Sequence, residues 1–266
     1  VVLLLSMLRR SPFSLQLVLV LTAFMTGSRL LCADGLWLPS ILSDHALVQA
    51  GKGIAVWGKA APGTQVKVKF VGADGSDKGQ VAITADAQGK WSGQLPAVSP
   101  GTAGQIEVAT DKGEKKVLQD VLAGEVWLAS GQSNMSYNIS GKLFAPNGPE
   151  ETAMTAANCE IAKQEAAAAN PPIRLFNVGG RGSVQPQDDV QGRWVLVSAA
   201  DVINYSAVAW NFGVALENAL HEPIGLIVAA VGGTPAETWM PIEAVQATAA
   251  GRAVLDRYHQ NMQAYS

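Results

Sequence analysis

The sequence predicts an α/β chain in which a small amino-terminal β-sandwich precedes a three-layer α/β domain built on a parallel sheet. Three observations carry that expectation. From about Leu36 to Leu118 apolar residues recur with a period close to two, punctuated by turn signals at short intervals. After Asp120 strand-like apolar runs alternate with helical patterns, the grammar of βαβ units. The 266 residues also give ample length for two domains and a sizeable core.

The first residues describe an address. From Met7, Arg9 and Arg10 form a positive segment, Leu15 to Met25 an apolar core, and Gly27, Ser28 and Ala33 supply small residues near a cleavage site placed after Ala33. Residues 1–33 are therefore expected to be a bacterial-type signal peptide, with a retained anchor as the alternative. The apolar run is short for a membrane span, so no stable span is expected after cleavage, and the mature protein is expected to be periplasmic or secreted.

Residues 34–118 are the expected β-sandwich module. Val66, Val68 and Phe70 alternate with Lys67 and Lys69, as in a half-solvated strand. Pro62-Gly63, Ala73-Asp74-Gly75, Gln88-Gly89 and Pro100-Gly101 mark the turns. Several short strands with that punctuation argue for a sandwich. Trp57 and Trp91 lie within apolar strand patterns and are expected in the core, in preference to a sugar-stacking role.

Residues 119–266 are the expected α/β domain. Strands are predicted at Val126–Ala129, Ile173–Val178 and Ile224–Val231, with helices near Glu150–Ala169, over Ala207–Leu220 and within Arg252–Tyr265. Pro171-Pro172 ends the first helix. Gly179–Asp189 reads as a loop whose glycines match no dinucleotide fingerprint.

Composition narrows the function. Nineteen basic and 22 acidic residues are interspersed, giving a net charge of −3 with no basic stripe, which argues against nucleic acid as a partner. Signal removal would take Cys32 and leave Cys159 alone, so no internal disulfide is expected, and Cys159 reads as a small apolar residue of a helix. No His/Cys cluster has metal spacing; neither metal nor cofactor is expected. Asn138-Ile139-Ser140 fits a glycosylation sequon, which a bacterial-type export signal argues against using.

The chemistry concentrates where the apolar run Val126–Ala129 breaks into Ser130-Gly131-Gln132-Ser133-Asn134-Met135. That is a buried parallel strand ending in a tight turn, with Ser133 at the tip. Ligands of open α/β sheets bind at such carboxyl ends. Ser133 reads as a candidate nucleophile, or as a serine capping the following helix. The esterase elbow G-x-S-x-G is not met, because Met135 stands where its second glycine belongs. A second glycine site, Gly232-Gly233-Thr234, also follows an apolar strand. Glycine there lets a backbone N–H approach a substrate closely, or simply serves the packing of a strand-to-helix turn.

The stretch GEVWLASGQSNM, residues 124–135, closely resembles the signature of the sialate O-acetylesterase family, within the SGNH/GDSL-like hydrolases. The likeness extends to Leu38-Pro39, Ser43-Asp44-His45, Val48-Gln49, Val56-Trp57-Gly58 and Pro62-Gly63, then to SAVAWNFG (206–213) and IGLIVAAVGGTPAETWMP (224–241). The resemblance implies a flavodoxin-like SGNH hydrolase domain beside an accessory β-domain, with Ser133 as nucleophile. It implies an oxyanion hole from the N–H of Ser133 with Gly232 or Gly233. Gln132, Asn134, Thr234, Glu237 and Trp239 are then candidate substrate contacts, and the partner is an O-acetylated carbohydrate.

A serine nucleophile needs a histidine base oriented by a carboxylate. The chain has only His45, His221 and His259. His45 lies in the β-module and reads as structural or interdomain. His221 directly precedes the strand at Ile224, at the edge opposite Ser133, and His259 sits in the closing helix. The Gln-Gly-Glu segment of the family does not occur, the one Asp-x-x-His spacing, Asp256 to His259, lies in the closing helix without that segment before it, and three parallel strands are recognisable where such a sheet usually has about five. The expectation is an amino-terminal portion of a longer esterase, inactive by itself. The alternative is a carbohydrate-binding protein with a degenerate esterase half; a lipase is disfavoured by the unmatched elbow.

Overall fold

The computed structural model describes residues 35–141, 147–169, 172–179, 182–183 and 186–263. The expected signal peptide, residues 1–33, lies outside the described residues. The molecule is mixed α/β with a mainly sheet core and few helices. Ten strands are described: β1 (Leu47–Gln49), β2 (Ile54–Lys59), β3 (Gln65–Gly72), β4 (Asp77–Thr84), β5 (Lys90–Leu95), β6 (Ala103–Thr110), β7 (Lys115–Gly131), β8 (Ile173–Asn177), β9 (Trp194–Leu196) and β10 (Ile224–Ala230). The helices are α1 (Ser133–Ser136), α2 (Gly148–Ala168), α3 (Ala207–Leu220), α4 (Ile242–Gln246) and α5 (Ala249–Gln263). Among the described residues no helix is long and apolar enough to cross a membrane.

The amino-terminal half is antiparallel, and its inside is set by alternation. In β3, Val66, Val68 and Phe70 are buried while Gln65 and Lys67 are exposed. The expected turns fall between strands, and the β2–β5 pair packs over β3 and β4. Trp91 is 3% exposed, as its pattern predicts, but Trp57 is 37% exposed. The reason is parity. Val56 and Gly58 occupy the inward positions of β2, and residue 57 must point the other way.

β7 joins the two halves. Its first part pairs antiparallel with β6, from Ala109↔Lys115 to Ala103↔Leu122. Its last part pairs parallel with β10, from Ile224↔Glu125 to Ala230↔Gly131. The strand runs on past residues 118 and 119 with a shift of register against β6 between Leu118 and Val121, where Asp120 takes φ +52°, and the change of sequence grammar after Asp120 happens inside one strand. β1 adds a short parallel rung at residues 122–124. Where β1 ends, the Gln49 amide takes over: its Oε1 accepts from Val126 N at 3.0 Å and its Nε2 donates to Glu125 Oε1 at 2.9 Å.

The sheet continues β7-β10-β8-β9. β10 and β8 are parallel to β7, at the positions the apolar runs predict. β9 pairs antiparallel with β8 and was not anticipated, because three residues after a polar loop show no period. On one face α3 buries Ala209, Trp210, Gly213 and Glu217. Ser206 caps α3, its Oγ accepting from Ala209 N at 3.1 Å. α2 is attached more lightly: Ala162 is its one buried residue, and Trp210 Nε1 donates to Glu165 Oε2 at 2.8 Å. Cys159, half-buried, lies on the same helix.

The opposite face of β8 shares the core of the amino-terminal half. Phe176 and Trp194, ring centroids 5.6 Å apart, are fully enclosed with residues of β1 to β7. The Trp194 indole donates to Ile41 O at 2.9 Å. Arg174, whose side chain is 4% exposed, reaches from β8 to the carbonyls of His45, Ala46 and Asp120 and pairs with Asp120 Oδ1 at 2.9 Å. Polar loop residues add to the joint. Asp188 bridges Lys59 and Lys90, and Asp189 accepts from the backbone and side chain of Ser40.

Candidate active site

Two strand ends build the site. β7 ends at Gly131, whose φ of +154° only glycine adopts readily, and the chain turns so that Ser133 opens α1. β10, its neighbour, ends one residue before Val231, whose N–H donates to Gly131 O at 3.1 Å. That bond extends the parallel ladder past both strands and brings the second glycine loop against the first. A Cβ placed on Gly232 would lie 3.6 Å from Ser133 Oγ and 3.9 Å from Ser133 Cα. The hydroxyl and the Gly232 position thus lie at contact distance from each other. Gly233 takes φ +80°, with open space around it. Ser133 is half-buried, while Gly232 and Gly233 are exposed.

The other candidate residues fall around this pair. Ser133 Oγ donates to Gln132 Oε1 at 2.8 Å. An amide oxygen can orient a hydroxyl but is too weak a base to take its proton. Asn134 is exposed beside the serine. Thr234 Oγ1 donates to Val231 O at 2.7 Å and accepts from the Trp239 indole at 2.9 Å, so these two side chains brace the second loop. Glu237 lies half-buried in the intervening 3-10 turn, Ala236–Trp239. Behind the serine, Ser136 Oγ donates to the carbonyls of Gln132 and Ser133, and Ser206 Oγ contacts Met135 Sδ at 3.6 Å.

No histidine hydrogen-bonds to Ser133. His45 Nδ1 pairs with Asp120 Oδ2 at 2.7 Å, in the joint between the halves. His221 caps α3 in the left-handed conformation, φ +54°. The seven residues of β10 separate it from the serine's rim, a span of about 20 Å. His259 stacks near Tyr258 on α5. The arrangement therefore sets the Ser133 hydroxyl beside the Gly232 position, and among the described residues no histidine hydrogen-bonds to that hydroxyl.

Sequence reasoning missed Arg174, whose signal was a cation inside the otherwise apolar strand Ile173–Asn177. Its partner Asp120 shows the electrostatics of the joint. Burial works to raise the carboxyl pKa, but the His45 hydrogen bond and the Arg174 charge outweigh it, and the net shift is downward.

No protein-family model matches the chain. Sialate O-acetylesterase of Pongo abelii is 31% identical over 213 residues, covering 75% of this chain and 37% of the relative. The human sialate O-acetylesterase is 30% identical over 212 residues, with the same coverage. A solved carbohydrate acetylesterase from Xanthomonas citri superposes with a TM-score of 0.64 at 31% identity, covering 81% of this chain and 45% of that one. The chain belongs to the sialate O-acetylesterase family. It spans well under half the length of the curated family members it matches: the Rattus norvegicus sialate O-acetylesterase, aligned over 250 residues at 28% identity, is covered to 42%. Within this family likeness, Ser133 and Gly232-Gly233 occupy adjacent strand ends of one parallel sheet.

Proposed function

We propose that these residues carry the nucleophile and oxyanion half of a carbohydrate O-acetylesterase that hydrolyses acetyl esters on sugars. Ser133 Oγ attacks the acetyl carbonyl, forming an acetyl-serine as the sugar hydroxyl leaves; water then attacks that ester and releases acetate. The N–H groups of Ser133 and of Gly232 or Gly233 receive the developing oxyanion, each donor contributing about 3–4 kcal/mol to the transition state. Gln132, Asn134, Glu237 and Trp239 are the proposed sugar contacts. The single observation that carries this reading is the 3.6 Å approach of the Gly232 position to Ser133 Oγ. The finer architecture belongs to the same proposal: a β-sandwich module at 34–118 and a flavodoxin-like SGNH domain from 119. So does export of the mature protein to the periplasm or medium.

The base is proposed to come from polypeptide outside these 266 residues, since all three histidines stand away from Ser133. Purified residues 34–266 should hydrolyse 4-nitrophenyl acetate no faster than buffer. Robust hydrolysis that Ser133→Ala abolishes would overturn the placement of the base. The same separation of histidines favours a second reading, a carbohydrate-binding protein with a degenerate esterase half. Recovery of the adjoining coding sequence separates the two: a Gln-Gly-Glu segment followed by a further Asp-x-x-His motif supports the esterase, and the lack of both the binding protein.

A further inference from the structure

The helix layer holds a hollow that the ester chemistry does not use. It lies between α2 and the start of α3 and encloses about 310 Å³, within the range of about 300–1,000 Å³ usual for small-molecule sites. Its floor is apolar, made by the buried residues Ile139, Ala162 and Trp210. The α2 wall is different. Residues 151, 155, 158, 162 and 165 follow one another at steps of three or four and form one face of that helix. A face turned toward a neighbouring helix is ordinarily apolar. Here Glu151, Thr155, Asn158 and Glu165 are polar, and only Ala162 is apolar. The apolar stripe of Cys159, Ala162 and Ala166 lies beside this face and packs against the core of the parallel sheet.

Much of the hydrogen-bonding capacity of that wall is unused. The Asn158 amide and the Thr155 hydroxyl make no hydrogen bond among the described residues. Glu165 engages Oε2 with the Trp210 indole at 2.8 Å, and Glu151 engages Oε2 with Asn147 N at 2.7 Å. Their Oε1 atoms have no partner among the described residues. Across the hollow Asn211 donates to Ala207 O at 2.7 Å, which leaves its amide oxygen as a further acceptor. Acceptors therefore outnumber donors, which suits a ligand rich in hydroxyl groups. Two carboxylates in the same lining oppose an anion. About 21 Å of helix separates Glu151 from Glu165, so the hollow is an elongated groove that suits linked sugars better than a single ring.

The groove opens at the rim that carries Ser133. α3 leads into β10, so its first residues stand at the carboxyl ends of the parallel strands. Ala207 N donates to Tyr137 O at 2.9 Å, and Tyr137, also in the lining, directly follows the helical turn that Ser133 opens. Ser133 and Tyr137 are about 6 Å apart along that turn.

We propose that the groove between α2 and α3 binds uncharged sugar units adjoining the acetylated one. Asn158 and Thr155 hydrogen-bond their hydroxyl groups, and Glu151 and Glu165 accept from them while excluding anionic sugars. The inference rests on the esterase reading for the reason a glycan reaches this rim, and it adds the class of glycan: a chain whose units next to the ester are neutral. It also accounts for the light attachment of α2, which buries Ala162 alone because the face it turns to α3 receives a ligand in place of apolar side chains.

The test is binding, which needs no turnover. The chain is titrated with two neutral disaccharides, lactose and cellobiose, and with the anionic N-acetylneuraminate, followed by NMR. A neutral disaccharide should shift the Trp210 indole N–H and the amides of Thr155 and Asn158. Read at those resonances, it should bind about tenfold or more tightly than the acid. Asn158→Ala, at an exposed position that the fold does not need, should weaken neutral binding about fivefold. The double variant Glu151→Gln, Glu165→Gln keeps an acceptor oxygen at each position and removes the charge. It should bind the neutral sugar within a few-fold of the native chain and lose most of the discrimination against the acid. No shift at these groups with either disaccharide, equal affinity there for neutral and anionic sugars, or native affinity in Asn158→Ala would overturn the proposal. Groove binding in a protein whose Ser133 never acquires an acetyl group would leave this subsite standing and remove the esterase reading alone.

Discussion

At the scale of single residues, Gly232 is the most exacting position. In the proposed mechanism its absent side chain leaves room for a carbonyl oxygen to meet backbone donors beside Ser133. Gly232→Ala puts a methyl at ordinary contact distance, 3.6 Å, from Ser133 Oγ, so the fold should tolerate it. On the proposed mechanism, in a polypeptide of the relatives' length that shows esterase activity, the substitution should lower kcat by about 100-fold or more with little change in Tm, because the methyl would occupy oxyanion space. A kcat within a few-fold of the parent value would place the oxyanion elsewhere.

Asp120 gives a prediction of opposite kind, about stability. Its folded pKa lies below the ordinary value near 3.8, because His45 and Arg174 favour the carboxylate more than burial opposes it. A depressed folded pKa means that the contribution is present above the unfolded pKa and is lost as pH falls through the folded one. Urea unfolding between about pH 5 and about pH 3 should show native stability dropping, with a visibly shallower drop in Asp120→Asn. Identical slopes would remove Asp120 from the acid response.

At the scale of elements, the sequence made the strand ends legible but not all their partners. The runs Val126–Ala129, Ile173–Val178 and Ile224–Val231 announced parallel strands by their apolar character, but the first is not the buried strand expected: Trp127 is 45% and Leu128 65% exposed. The convergence of Ser133 with Gly232 followed from β7 and β10 being neighbours. β9 was invisible because three residues carry no period. Trp57 was misplaced because hydrophobicity was weighed above parity. Arg174 was overlooked although a cation inside an apolar strand signals a built-in partner.

The two long helices also differ in a way that exchange can measure. α3 buries four residues over 14, whereas α2 buries Ala162 alone over 21. Few buried contacts mean a low local opening free energy. Amides of α2 should therefore exchange with solvent deuterium well before those of α3. Trp210→Phe, which deletes the hydrogen bond to Glu165, should widen the gap. Equal protection of both helices would contradict this account of how α2 is held.

At the scale of the whole molecule, the halves that the sequence separates by grammar share one strand and one core. β7 crosses from antiparallel to parallel pairing, and Phe176 and Trp194 pack among residues of the amino-terminal strands. At the expected border of 118/119 β7 only shifts its register against β6; its partner changes from β6 to β10 a few residues later, between Leu122 and Glu125, which no local pattern discloses. Unfolding by urea should therefore give one transition, coincident by tryptophan fluorescence and far-ultraviolet circular dichroism. Trp194→Ala should lower the unfolding free energy by about 3–5 kcal/mol and shift that single midpoint to lower urea. Two separated transitions would show that the shared core does not couple the halves.

The site itself depends on that same strand, since β7 carries Ser133 to the rim where the glycine loop meets it. The decisive measurement is to incubate the full-length esterase with an activated acetyl ester, quench it during turnover, and map the acetyl group by peptide mass spectrometry. The account predicts the acetyl group on Ser133, with both adduct and turnover absent in Ser133→Ala. An acetyl group on another residue, or turnover that survives the substitution, would contradict it.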